Sequence, residues 1–330
     1  TKDVVKKFMV KLLSLLNEHF PNETILKLVI TIPERENVIV DLLKNILAEL
    51  GIRNDRLVIL GHKQSYMYYA VSQPKELWAN SVGLFEFDEM GLRYTNLTVD
   101  KRTIPYIVGA DVHDLSDIMP YSVLQEKGDV KYMFLNTANT MLHKKMVTTI
   151  YVTGKGFDQR WATDTLKELC NGRRVFRGQN LFNKGAAYAA RMLTDREKTK
   201  EFIFLDDDML TSDISIRTYH NAKMHDVVLA KAGTLWSDID ESIDIIPDNE
   251  DEIQITDKNV LTRETRAHIL SLSGFAVRDN KTTRFTVRIR FADQYTCIVT
   301  LKDNGFGEFY PSTNRIWERY IKINGADSKN

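Results

Sequence analysis

The residues best placed to do chemistry lie between Val147 and Leu193, in the run VTTIYVTGKGFDQRWATDTLKELCNGRRVFRGQNLFNKGAAYAARML. Gly154 and Gly156 bracket Lys155 in a tight turn, where glycine permits positive φ and lets backbone approach a ligand closely. A helix opening just beyond such a turn offers free N–H groups to an anion. Arg173, Arg174, Arg177 and Lys184 then gather cations, and guanidinium groups suit phosphate contact or stacking on a flat ring. From Asn183 an alanine-rich stretch around Gly185 carries almost no side-chain bulk, so a second backbone or a flat ligand can pack against it. Each feature also has a plainer reading. Most strand–glycine–helix turns only reverse the chain, and arginine-rich loops commonly pair with nearby acids in solvent.

Local pattern supplies the elements that hold these residues. Residues 147–152 are β-branched and aromatic, and Trp161, Leu166 and Leu169 fall at helical spacing, so the segment reads as strand, glycine turn, helix, basic loop, helix. Upstream, Val4, Val5, Phe8, Met9, Leu12, Leu15, Leu16 and Phe20 share one side of a helix that Pro21 and Asn22 stop. ILKLVITIP, a helix from about Asn37 to Leu50 with Gly51 as its C-cap, and the strand RLVIL form a βαβ unit, hence a buried parallel sheet. QSYMYYAVSQ is a short aromatic helix, and SVGLFEFDEMGLRYTNLTV two strands around a turn at Asp88 to Gly91. Residues 101–146 carry one or two helices, including an amphipathic stretch from Val130 to His143. From Glu201 the grammar changes to short strands separated by turn residues: FIFL, DISIRTY, HDVVLAKAG, EIQIT, RAHILSLS, RFTVRIRF and YTCIVTLKD. In the clearest hairpin, Phe285, Val287, Ile289 and Phe291 alternate with Arg284, Thr286, Arg288 and Arg290, and Tyr295, Cys297, Val299 and Leu301 return inward.

Other constellations point away from hydrolysis and metal chemistry. The acidic residues Asp238, Asp240, Glu241, Asp244, Asp248, Glu250, Asp251 and Glu252 lack the glycine and closing glutamate of a calcium loop, so they read as acidic inter-strand turns. Asp206, Asp207 and Asp208 end a strand and read as a solvated turn rather than a magnesium site. The seven histidines show no HExxH spacing, and no GxSxG pattern is present. Cys170 and Cys297 are too few and too far apart for a disulfide scaffold, and Cys297 in its strand reads as a small core hydrophobe.

Composition bounds the class of protein. The 330 residues are 43% hydrophobic and 27% charged, enough for a core and for two domains. Lys plus Arg equals Asp plus Glu at 45 each, so no overall field draws the chain to nucleic acid or anionic lipid. Apolar runs such as LVITI are strand-sized and far short of a bilayer span, which makes a reducing, cytoplasmic setting the expectation. The chain opens on Thr1, which reads as an excised piece of a longer protein.

The Val147–Leu193 segment resembles the adenosine-binding motif and final helix of the actin, sugar-kinase and DnaK-type chaperone superfamily, with its strand, GG turn, amphipathic helix and AxGAA-type helix. The order helix, VITIP, helix, LGI, strand, short helix and β-turn-β hairpin widens the similarity over residues 1–195, interrupted near 100–145. A β-sandwich after such a domain is the layout of DnaK-type chaperones, where it binds polypeptide. The runs GRRVFRGQNLFNKGA and GFGEFYPSTNRIWE resemble uncharacterised bacterial proteins related to those chaperones. The resemblance implies an α/β chain, with a partial actin-like (ribonuclease H-like) ATPase fold over 1–199, in which 101–146 is a reduced insertion subdomain. It further implies an all-β sandwich over 200–330. Gly154, Lys155, Gly156, Arg174, Arg177 and Gly185 would then line a nucleotide edge for ATP or ADP.

Departures from the pattern narrow that expectation. The family's hairpin turn is an Asp followed by glycines and a Thr whose N–H groups hold the β- and γ-phosphates. The matching residues here are Glu86, Phe87, Asp88, Glu89, Met90 and Gly91. Two like charges about 4 Å apart cost on the order of a few kcal/mol at an effective dielectric near 20, so carboxylates there disfavour a triphosphate. The family's first Asp-Gly-Thr hairpin has no counterpart in the chain. The expectation is therefore a DnaK-like, chaperone-related protein with a degenerate nucleotide site, weak ATP or ADP binding and no other cofactor. A protein or polypeptide partner would bind through the sandwich, with no nucleic acid and no membrane. The alternative is an active ATPase whose phosphate-binding residues lie upstream of residue 1.

Overall fold

The computed structural model describes residues 2–125, 129–195, 197–220, 222–248, 251–275 and 278–323. Glu250 of the acidic run lies outside them. The chain is mixed α/β with a mostly β C-terminal part, and it divides into two compact units, Thr1–Phe204 and Leu205–Asn330.

The first unit opens with helix α1 (Lys2–His19), strand β1 (Leu28–Ile32), helix α2 (Asn37–Glu49) and strand β2 (Leu57–Gly61). β1 and β2 pair in parallel, Leu28 opposite Leu57 through Ile32 opposite Gly61, as the βαβ pattern predicts. Val40, Leu43 and Leu47 of α2 cover this two-stranded sheet, with Val5, Met9 and Leu13 of α1 packed more loosely beside them. Helix α3 (His62–Val71) follows β2 without a loop and is almost wholly buried, which is why its sequence shows no helical amphipathicity.

A six-stranded sheet forms the body of the unit. Its strands are β3 (Ser81–Asp88), β4 (Gly91–Asp100), β5 (Tyr106–Asp114), β6 (Val147–Thr153), β7 (Arg174–Arg177) and β8 (Phe202–Leu205), in the order β7-β6-β3-β4-β5-β8. β3, β4 and β5 run antiparallel in succession, whereas β6 joins β3 in parallel and β7 joins β6 in parallel. Helix α4 (Val130–Leu142) leads into β6, α5 (Arg160–Leu169) connects β6 to β7, and α6 (Leu181–Thr194) follows β7. One side of the sheet carries Phe85, Phe87, Phe134, Phe157 and Ile150 in a fully buried cluster with α4 and α5. The other carries Tyr66, Leu84, Leu97, Val108 and Tyr151 beneath α3 and α6. Burying side chains of this size contributes roughly 1.5–3 kcal/mol each.

Three segments differ from the sequence expectation. Residues 101–146 supply strand β5 as well as α4, so this stretch builds the sheet itself. The basic loop contains β7, whose pairing with Thr149–Val152 of β6 outweighs the poor strand character of RVFR. FIFL forms β8 beside β5 in the first unit, because Phe204 stacks on Tyr68 of α3 and Phe202 packs edge-on against Trp78.

The second unit is two four-stranded antiparallel sheets. One has the order β10-β9-β12-β13, from β9 (Ser212–His220), β10 (Lys223–Ala230), β12 (Glu252–Asn259) and β13 (Thr265–Ser271). The other has the order β11-β14-β15-β16, from β11 (Asp240–Ile245), β14 (Phe285–Asp293), β15 (Thr296–Asp303) and β16 (Ile316–Lys322). Ile214, Ile216, Ile255, Val287, Ile289, Val299 and Leu301 meet in one core, as period-2 alternation requires. Cys297 is buried in it, and burial pushes its thiol up to about 12, whereas Tyr295 stays partly exposed. Much of the acidic run is strand β11 rather than turn, because its carboxylates meet cations across the ladder: Asp240 pairs with Arg288, and Asp244 lies 3.9 Å from Arg284 and accepts from Thr286 at 2.6 Å.

Candidate functional site

The predicted nucleotide edge falls at the C-terminal ends of β3 and β6, with Glu86 opposite Thr153 in the parallel register. Gly154 leaves β6 with φ of +101°, and a Cβ there would lie 2.2 Å from the Phe87 carbonyl oxygen. A Cβ on Gly156 would meet the Phe87 ring at 2.3 Å. Both glycines therefore serve the passage of the turn over Phe87, and the space a ligand would use is occupied by the hairpin. Gly185 has the same character elsewhere. Its Cβ position lies 2.0 Å from the Ser65 carbonyl oxygen, where α6 crosses α3.

Lys155 is exposed and ion-paired with Glu89 at 2.7 Å; this contact lowers the Glu89 carboxyl and raises the lysine. Arg174 and Arg177 project from β7, one strand further out, and Arg177 is 3.9 Å from Asp158. The fold thus gathers Gly154, Lys155 and Gly156 against the hairpin, sets Arg174 and Arg177 on the adjacent edge, and places Gly185 in a separate helix crossing.

The hairpin itself carries a polar cluster. Gly91, with φ of +95°, closes a two-residue turn and lies where a Cβ would sit 2.6 Å from the Ser116 Cβ. That turn sets Glu86 opposite Arg93. The Glu86 carboxylate, almost buried, lies 3.3 Å from Arg93 Nη2 and 3.5 Å from His62 Nδ1. Arg93 also lies 3.9 Å from Asp88, whose Oδ1 accepts the Met90 N–H at 2.9 Å. Burial, and then the neighbouring Glu86 charge, raise the Asp88 carboxyl against the pull of the Met90 N–H and Arg93. His62 opens α3 and stacks on Phe182 of α6, ring centroids 3.7 Å apart.

The arrangement is a self-compensated set of charges. Three carboxylates, Glu86, Asp88 and Glu89, face Arg93, Lys155 and, when protonated, His62. Arg93 Nε is buried without a hydrogen-bond partner, and among the described residues no group of three or more His, Cys, Asp or Glu is placed to hold a metal ion. His62, Arg93 and Phe182 were missing from the sequence prediction. A legible signal existed for Arg93, since a two-residue turn at Glu89 and Met90 fixes it opposite Glu86. No local signal brings His62 or Phe182 to that carboxylate.

A model described as a family of unknown function (DUF5716), C-terminal, matches residues 1–207, and one described as a domain of unknown function (DUF8552) matches residues 209–323. No curated protein matches the chain. The first match spans more than half of the chain, which therefore belongs to the DUF5716 family.

Proposed function

We propose that this DUF5716 member is a protein-binding relative of the DnaK-type chaperones: a partial actin-like (ribonuclease H-like) domain with a dismantled phosphate site, followed by a sandwich that engages a polypeptide or protein partner. The observation that carries the reading is the hairpin Glu86–Gly91. Its carboxylates stand where the resemblance puts phosphate-binding glycines, and each is already matched by a cation of the chain. The order α1, β1, α2, β2, α3, β3, β4 and the succession β6, glycine turn, α5, α6 support the same relationship. The adenosine half keeps its cations at the rim, with Arg174, Arg177 and Lys184 exposed. ATP and ADP accordingly bind weakly, held by the base rather than by the phosphates.

Calorimetric titration of the whole chain with ATP, ADP and adenosine tests this. The expectation is dissociation constants near or above about 1 mM, roughly −4 kcal/mol or weaker, and nearly equal for the three ligands. Micromolar ATP binding that far exceeds adenosine binding, with turnover, would sink the proposal and favour a working ATPase. For the second unit, a peptide array gives weak hits rich in apolar residues; silence there alongside a stable protein complex selects a scaffold over a chaperone.

A further inference from the structure

One sheet of the second unit ends on β13, the last strand in the order β10-β9-β12-β13. In an antiparallel pair, residues alternate between those whose N–H and C=O face the partner strand and those that turn both away. The phase of β13 is fixed at its two ends, where the Asn259 N–H donates to the Glu264 carbonyl at 2.9 Å and the Leu272 N–H donates to the Asp251 carbonyl at 2.7 Å. Arg266, His268 and Leu270 fall at even steps between these ends and bond to β12, so Thr265, Ala267 and Ile269 turn their N–H and C=O groups to the open edge. Arg319 of β16 approaches from that side, and its Nη1 donates to the Ile269 carbonyl at 3.1 Å. Donors and acceptors that recur roughly every 7 Å along a regular edge are matched by a second extended backbone.

The side chains beside that edge select a sequence. Leu270 is buried in the core between the sheets, so Arg266 and His268 share its inner side, with His268 Nε2 3.9 Å from the buried Asp257. Arg319 lies on the inner side of β16 between Trp317 and Ile321, which pack into the same core, yet it is itself exposed. On the outer side Thr265, Ala267 and Ile269 are exposed and uncharged. The other edges differ: β10 is bulged between Val228 and Ala230, β11 carries acids without a cation, and β16 carries both Glu318 and Lys322. Bulges and charges on an edge discourage added strands, whereas the regular β13 carries cations and no acid.

We propose that β13 is the docking edge for an extended polypeptide segment in which apolar and acidic residues alternate. The apolar residues lie beside Ala267 and Ile269 on the outer side, and the acidic ones beside Arg266 and Arg319 on the inner. This rests on reading the second unit as a polypeptide-binding sandwich, and names the edge and the sequence class it takes. The segment pairs with the edge-facing N–H and C=O groups of Thr265, Ala267 and Ile269. A carbonyl accepts two bonds, so the Ile269 oxygen can take a peptide N–H while Arg319 stays within reach of the neighbouring carboxylate.

Fluorescence anisotropy with the full chain is the test, using a short labelled peptide of alternating valine and glutamate and its glutamine and lysine counterparts. The glutamate peptide binds at least about tenfold more tightly than the lysine peptide, with the glutamine peptide between them. Ala267→Pro removes an N–H that β12 does not use, a change edge strands tolerate, and weakens binding at least about tenfold with an unchanged circular dichroism spectrum. Arg319→Glu weakens the glutamate peptide about five- to tenfold and the glutamine peptide less than about twofold. Wild-type protein also reads the peptide backbone: N-methylation of the valines or of the glutamates abolishes binding in one case and spares it in the other. Binding that survives Ala267→Pro and both methylations, or a lysine peptide that binds as well as the glutamate one, overturns the β13 edge and leaves a polypeptide-binding sandwich that uses another surface. Silence of all these peptides and of a peptide array overturns both readings. Self-association of the chain alone that Ala267→Pro abolishes assigns the edge to a second copy and overturns the peptide proposal.

Discussion

Gly185→Ala separates two uses of a glycine in a helix. Gly185 lies inside α6, where alanine is the better helix former by about 0.8–1.0 kcal/mol, so a glycine placed for ordinary reasons would be improved by the change. The structure demands the opposite sign. The added methyl would lie 2.0 Å from the Ser65 carbonyl oxygen, whereas ordinary contact begins near 3.4 Å, so α6 and α3 must part by up to about 1.4 Å. The obstacle is backbone, which no rotamer change removes, and a gap of 0.5–1 Å already forfeits about a quarter to a half of each dispersion contact. The contacts at risk include those of Leu181, Ala189 and Met192 within the α3 side of the core. Overpacking costs about 1–3 kcal/mol, and with immovable backbone as the obstacle the upper part of that range, about 2–3 kcal/mol, applies; less the propensity gain, the net loss is near 1–2 kcal/mol. At about 2–4 °C per kcal/mol for a unit of this size, the first unit should melt roughly 2–8 °C lower by scanning calorimetry. Ala187→Gly, at an exposed position two residues on, reports the propensity term alone. A Gly185→Ala protein as stable as the wild type, or more so, would refute the close crossing and return Gly185 to the candidates for ligand contact.

Two further outcomes probe the second unit. Asp303 is buried, and burial alone would raise its carboxyl, but Arg278 with two bonds of 3.0 Å, the Thr313 hydroxyl and N–H, and the Gly305 N–H pull it down to about 2. A folded-state value below the unfolded one stabilises above the unfolded value near 3.9 and loses that stabilisation as pH falls towards 2, about 2 kcal/mol here. Asp303→Asn should lose about 3 kcal/mol at neutral pH, by denaturant titration, and show a flatter acid limb; a parallel limb refutes the assignment. The thiols should divide by environment: a chromogenic disulfide at neutral pH titrates one cysteine per native chain, the exposed Cys170, and both after denaturation, because burial holds Cys297 as the thiol. Two fast thiols in the native protein would mean that the β14–β15 core opens freely.

What the sequence made legible is what local period and chirality encode. The βαβ unit, the hairpin at Asp88 to Gly91, the strand–glycine–helix at Val147 to Leu169 and the inward face of β14 each follow from spacing within one element and its neighbour. β7 and β11 were hidden because their strand character is supplied by a partner. RVFR becomes a strand only against β6, and DESIDI only against β14, where Arg290 lies opposite Asp240 and Arg288 and Arg284 reach Asp240 and Asp244 diagonally. FIFL, expected among the strands of the all-β part, forms β8 in the six-stranded sheet for a related reason: it fits any buried strand, and Tyr68 and Trp78, more than a hundred residues earlier, decide which.

The site repeats that lesson at finer scale. Three glycines chosen for their freedom to approach a ligand do make unusually close approaches, at 2.0–2.3 Å for a notional Cβ, but each is to the chain's own backbone or ring. Glycine at a strand end specifies that something passes near, and only the partner's identity separates a binding edge from a packing one. Phe87 is that partner for Gly154 and Gly156, and it belongs to the same hairpin whose carboxylates engage Lys155 and Arg93. Packing and charge neutralisation therefore act on one loop: closing the turn onto Phe87 brings Lys155 to Glu89. On the proposed reading, a phosphate site at this hairpin would demand at least three coupled changes, smaller bulk at Phe87, removal of the Glu86 and Glu89 charges, and release of Lys155. Removing one carboxylate alone would leave Phe87 in place under both glycines.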